Sequence, residues 1–149
     1  MFGDSFGLCP NGTHEATPDE ISKIIAAANQ IVGQKMSYAN IKCNQFVNKA
    51  INQAFPGTTS QAYTTSAIGA GQGPFEQTSS PGQGELALLN RPGHVVLITG
   101  VSNGQVSSFV GSQSSTGPKP VGLPDPGNYW ANNLSKPGNV SYYKICLPN

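Results

Sequence analysis

The sequence predicts an α+β domain in which amphipathic helices precede an antiparallel sheet. Three observations carry that expectation. Two helical periodicities occupy residues 17–55, β-branched runs fill much of the second half, and an Asn-Gly pair separates two of those runs. The 149 residues fit one domain spanning 1–149, with enough chain to bury a real core.

The first helix is expected over "TPDEISKIIAAANQIVG". Thr17 suits the N-cap, Pro18 the first helical position, and Glu20 completes a capping box. Ile21, Ile24, Ile25, Ala28, Ile31 and Val32 form one apolar stripe, and Gly33 suits the position just past the end. The second helix lies in "IKCNQFVNKAINQAF". Its apolar residues, Cys43, Phe46, Val47, Ala50, Ile51 and Ala54, recur at helical spacing, and the helix should stop before Pro56-Gly57. Asn40 is its expected N-cap. That would put Cys43 at about N3, where unpaired backbone N–H groups concentrate positive potential.

Residues 55–84 read as a long loop, with a short helical turn at 61–68. Strands are expected at 85–90, at 94–101 and, across the Asn103-Gly104 hairpin, at 105–110. Residues 111–138 are rich in Gly, Pro and Ser and hold Trp130, the only tryptophan. The alternating "VSYYKICL" makes the last strand.

Charged residues are 10% of the chain and the formal net charge is +1. No basic run offers a surface to nucleic acid, so none is expected as a partner. No apolar run approaches the roughly 18 residues of a membrane span. The N-terminal stretch shows neither the basic nor the apolar region of a cleavable signal peptide. The three cysteines, Cys9, Cys43 and Cys146, lack metal-ligand spacing, and no metal or other cofactor is expected. Cys9 and Cys146 are either a disulfide between the two ends of the domain or two unpaired thiols.

A cysteine is a useful nucleophile as its thiolate, which a helix N-terminus and an adjacent imidazole both favour. Cys43 has the first. For the second there are two histidines: His14, set among turn residues as a solvated side chain would be, and His94, which opens a strand after "NRPG". Read singly, Cys43 is equally a small core residue and His94 a core or solvated histidine. The pair gives each a chemical reason to be there.

"GQGELALLNRPGHVVLITG" is similar to the Gly-Asp-Leu-Val and His-Val-x-Ile-x-x-Gly strands of NlpC-type cysteine peptidases and CHAP amidases. "KCNQFVNKA" resembles their Asp-Cys-Ser-Gly-Phe or Cys-Thr-x-Tyr-Val helix start, and the order of elements agrees over about residues 40–115. Among these families, the peptidoglycan amidases delivered by type VI secretion look closest, through "FVGSQSSTG" and the final "YYKICLP". The resemblance implies a papain-like fold, with the helices packed on the sheet. It also implies a hydrolase that cuts amide bonds of peptidoglycan stem peptides, at γ-D-glutamyl-diaminopimelate or at a cross-link. Such a protein would be secreted without a cleavable signal, act as an antibacterial toxin in the periplasm of a target bacterium, and be matched by an immunity protein in its producer.

Cys43 would then be the nucleophile and His94 its base. The third residue, which orients the imidazole, has no acidic candidate at residues 105–117. Ser107, Ser108, Ser112, Gln113 and Ser114 remain, with Ser112 and Gln113 the leading pair. Lys42 stands where those families carry Asp, Asn44-Gln45 where they carry Ser-Gly, and Glu85 where they carry Asp. The two long loops would wall the cleft. Tyr63, Phe75 and Trp130 would line it, or would instead pack the loops down. Two other classes share these features: a non-catalytic module that binds cell wall or a partner, and a same-fold acyltransferase or deamidase.

Overall fold

The structure, a computed structural model, describes residues 8–59, 63–90, 93–134, 136 and 138–149. In chain order the elements are β1 (Thr13–Glu15), α1 (Pro18–Gly33), α2 (Cys43–Ala54), α3 (Thr65–Gly69) and β2 (Phe75–Thr78). Then come β3 (Leu86–Asn90), β4 (Gly93–Ser102), β5 (Gln105–Gln113), β6 (Gly117–Gly122), α4 (Tyr129–Leu134) and β7 (Val140–Pro148). The strands form one antiparallel sheet in the order β1-β7-β3-β4-β5-β6, with β2 also paired to β7. The expected α+β class is met, with more strands than the sequence announced.

Helix α1 starts as its sequence dictates. The Thr17 hydroxyl accepts from the Glu20 N–H, and the Glu20 carboxylate accepts from the Thr17 N–H at 2.9 Å. Its end differs from expectation. Gly33 is still helical, and the left-handed residue is Lys35, with φ of 55°. Helix α2 begins two residues later than expected. Asn40 is taken up in a turn closed on the Ser37 carbonyl, the cap is Lys42, and Cys43 is the first helical residue. Gln45 explains the shift, because its side chain accepts from the Lys42 N–H at 2.8 Å. The helix then ends at Ala54, before Pro56-Gly57, as expected.

The sheet is a central layer. On one face, Leu86, Leu88, Val95, Leu97, Val110, Tyr143 and Ile145 pack against the buried stripes of α1 and α2 and against Ile68 of α3. On the other, Ala87, Leu89, Val96, Ile98 and Phe109 pack against Ala131 and Leu134 of α4. Because both sides of β4 are covered, its run reads as continuously apolar instead of alternating.

The β4–β5 hairpin turns at Asn103 and Gly104, whose φ of 54° and 76° are those of a type I′ turn. The two stretches read as loops contain short elements. Residues 55–84 include α3 and β2; part of the expected 61–68 turn lies outside the described residues, and α3 itself sits at Thr65–Gly69. Residues 111–138 include the end of β5, β6 and α4. Arg91 and Pro92, before His94, also lie outside the described residues. Among the described residues, no helix is long and apolar enough to cross a membrane. Cys9 and Cys146 form a disulfide across 137 residues of sequence, and Cys43 is a free thiol.

Candidate active site

Cys43 sits at the first position of a 12-residue helix, 5% exposed, among the apolar side chains on the α1–α2 side of the sheet. Its immediate polar neighbour is Tyr38. The turn at residues 37–41, in which the Asn40 and Ile41 N–H groups both bond to the Ser37 carbonyl, folds the link back on the helix start. The Tyr38 hydroxyl is thereby brought into hydrogen bond with Cys43. Burial first, then the charge and hydrogen bond of Cys43, push the Tyr38 phenol above its ordinary pKa. The Lys42 ammonium lies over the Tyr38 ring, 5.1 Å from its centroid. Sequence reasoning passed over Tyr38, which belongs to neither helix and has no periodicity to mark it.

The helix start is braced from two sides. Ser112 Oγ donates to the Ile41 carbonyl at 2.5 Å, fastening the end of β5 to the residue before Lys42. From below, the Nδ2 groups of Asn44 and Asn48 donate to the Tyr63 carbonyl at 3.3 and 3.1 Å. Ser112 therefore positions the thiol's helix, while its hydroxyl is committed to backbone.

His94 is the second residue of β4 and pairs directly with Leu89 of β3, so both project to the α4 side of the sheet. There its ring stacks on Trp130, centroids 3.9 Å apart and planes 18° from parallel. The residue is 3% exposed. Burial depresses the imidazole pKa to about 4, so the ring is neutral at pH 7. Its Nε2 is buried and makes no hydrogen bond.

Alternation along β5 puts Gln113 on that same α4 side, in step with Phe109 and Gly111, whose missing Cβ leaves room for Val96. Its Oε1 accepts from Asn128 Nδ2 at 3.0 Å, and its Nε2, like His94 Nε2, is buried without a partner. Asn128 in turn accepts from the Ala131 N–H, tying Gln113 to the start of α4.

The sequence candidates thus separate into two pairs: Cys43 with Ser112, and His94 with Gln113 and Trp130. Thiol and imidazole belong to cores on different faces, and no hydrogen bond joins them through Nε2. Both nevertheless occupy one end of the β4–β5 pair. The paired residues of that ladder stop at Leu97 and Val110, and beyond them β5 is held by the residue before Lys42.

The other candidates fall elsewhere. Phe75 is 1% exposed and packs edge-on against Tyr63, centroids 5.7 Å apart, so Phe75 belongs to the core and not to a cleft wall. Ser108 accepts from Thr99 Oγ1, and Ser107 lines a cavity of about 640 Å³ beneath α4. None of Cys43, His94, Ser112, Gln113, Tyr63, Phe75 or Trp130 lines that cavity. A smaller one, about 440 Å³, opens beside Lys42 and Tyr38, and Cys43 itself does not line it. His14 is remote from both, held by Glu20 and Asn149 at 2.8 Å each.

No family model matches this chain, and no curated protein matches it.

Proposed function

We propose that this chain is a papain-like cysteine amidase that cleaves peptidoglycan stem peptides as a secreted antibacterial effector, with an immunity protein protecting its producer. One observation carries the reading. A free thiol opens a 12-residue helix at the end of the sheet where a buried histidine keeps an uncommitted Nε2. Burying a polar nitrogen without a partner costs on the order of 1–3 kcal/mol, which a proton-accepting role would account for.

The steps follow from the groups present. A neutral His94 is a proton acceptor, so the Cys43 proton passes to Nε2 as sulfur attacks the amide carbon. The resulting oxyanion takes hydrogen bonds from the Cys43 backbone N–H, which gives up its bond to the Tyr38 oxygen to do so, and from the Tyr38 hydroxyl. Collapse breaks the C–N bond, and the imidazolium gives its proton to the departing amine. Water, deprotonated by the neutral imidazole, then attacks the thioester, releasing a carboxylic acid and the thiol. Bringing sulfur to Nε2 requires the ring to leave Trp130 or the helix start to close on it as substrate binds.

The test is incubation of purified peptidoglycan with wild type, Cys43→Ala, His94→Ala and the double variant, with fragments identified by mass spectrometry. Each single change should abolish release, and the double should be scarcely worse than either, since both residues serve one sequence of steps. A folded His94→Ala protein cleaving at the wild-type rate overturns the mechanism.

A further inference from the structure

The cavity of about 440 Å³ beside Lys42 and Tyr38 has a chemistry of its own. It lies between the turn that carries Tyr38 and the turn joining β5 to β6, and its wall includes Ser37, Ser114, Ser115, Thr116, Tyr38 and Lys42. Lys42 is the one charged side chain among the described residues lining it, and no acidic residue occupies the first turn of α2. The two walls are held close. Gly117 has φ of +72°, and a Cβ there would collide with the Met36 carbonyl, so the β5–β6 turn is pressed against the link that leads to Tyr38. The cavity thus offers one ammonium and four aliphatic hydroxyls, and no carboxylate to receive a cation.

We propose that this cavity is a carboxylate subsite of the active site, and that Lys42 selects γ-D-glutamyl donors whose α-carboxylate is free. The inference rests on the amidase reading above and names the substrate it prefers. Lys42 adjoins Cys43 in sequence, and Tyr38, on the cavity wall, is hydrogen-bonded to Cys43, so a group seated here belongs to the acyl portion under attack. In a γ-linked glutamate the scissile carbonyl is the side-chain one, and the α-carboxylate hangs three carbons away. That places an anion beside the reacting carbon without making it part of the broken bond. The Lys42 ammonium, poised over the Tyr38 ring, would exchange a weak ring contact for a charge-assisted hydrogen bond, with the hydroxyls taking the remaining lone pairs.

The experiment uses two stem tetrapeptides identical except that the D-glutamate α-carboxyl is either free or a carboxamide. kcat/KM is measured for both with wild type, Lys42→Ala, Lys42→Arg and Lys42→Glu. Wild type should prefer the free acid by about tenfold or more, as expected for one charge-assisted bond. Lys42→Ala should bring the ratio near one, Lys42→Arg should keep a preference, and Lys42→Glu should reverse it. Equal rates on both peptides in wild type, or an unchanged ratio in Lys42→Ala, would overturn the proposal. Binding of the same peptides to Cys43→Ala, with and without Lys42→Ala, is followed by calorimetry. If wild type cleaves neither peptide, the amidase reading fails, and the binding ratio still decides whether Lys42 recognises the carboxylate.

Discussion

Replacing Glu85 by Gln should stabilise this protein at neutral and higher pH and leave it unchanged in acid. The Glu85 carboxylate is partly buried before β3, and its Oε1 has no hydrogen-bond partner. Burial first, then the negative charge of Glu15, raise its pKa from the ordinary 4.5 to about 7; a bond from Gly82 and the charge of Lys144 oppose this without cancelling it. Lys144 is itself engaged by Glu15 at 3.0 Å.

Below pH 4.5 both folded and unfolded chains carry the proton, and Glu85 costs nothing. Between 4.5 and about 7 the unfolded chain releases it while the folded chain retains it, so stability falls as pH rises. Above about 7 the loss is complete. At about 1.4 kcal/mol per tenfold change the full gap would be roughly 3 kcal/mol, and solvent screening of a carboxylate this exposed reduces it to ~1–2 kcal/mol. Urea unfolding followed by circular dichroism at pH 4, 6 and 8 measures it for both proteins. Curves that coincide at pH 4 and separate by ~1–2 kcal/mol at pH 8, with Gln the more stable, are expected. A constant difference at all three values, or a less stable variant at pH 8, would refute the account of Glu85.

Trp130→Ala should rehydrate His94 and move its pKa from about 4 toward the ordinary 6.5, read directly by NMR titration; an unmoved midpoint would show that the stack does not set it. If the amidase mechanism holds, the acid limb of kcat/KM should shift upward with it, because the base must be unprotonated. Breaking the disulfide with Cys9→Ser should cost ~2–5 kcal/mol in urea unfolding, given the length of chain it closes, and a change below ~0.5 kcal/mol would show that the ends are held without it. His14 has its pKa raised, first by the Glu20 hydrogen bond and then by Asn149. Its stabilisation is therefore full below about 6.5 and lost as pH rises through the higher folded value. His14→Ala should flatten that part of the profile; if the proposed amidase activity holds, cleavage should stay near wild type, and its loss in a folded protein would reassign the base.

The long amphipathic helices and the Asn-Gly hairpin were legible because each repeats one signal over many residues. The missed elements lack that redundancy. β6 reads "GPKPVG", and its two prolines argue for a loop; they are tolerated because β6 is an edge strand paired only to β5. β1 has three residues, β2 four and α4 six, too few for a period to emerge. The N-cap of α2 was misplaced because Asn40 looked the better cap, while the deciding bond comes from Gln45 reaching back to Lys42. Cys43 and His94 were visible as residue types. Their facing was not, since β4 is apolar on both sides and alternation cannot say which one α2 covers. Tyr38 became visible only when the turn at Ser37 closed.

Strand β7 joins three others, and all three precede it by a long stretch of chain. Thr13 pairs with Pro148, Phe75 with Ile145 and Leu86 with Tyr143. During synthesis, β1, β2 and β3 emerge well before the strand that completes their hydrogen bonding. Until it arrives, the apolar face of Leu86, Leu88 and Phe75 has no finished sheet to join, and three backbone edges stand open to any extended chain nearby. Closing contacts this distant in sequence also makes folding slow for the protein's size. A nascent chain of this kind gains from a holding chaperone through that interval, and overproduction should show its cost first as aggregates formed before β7 is made.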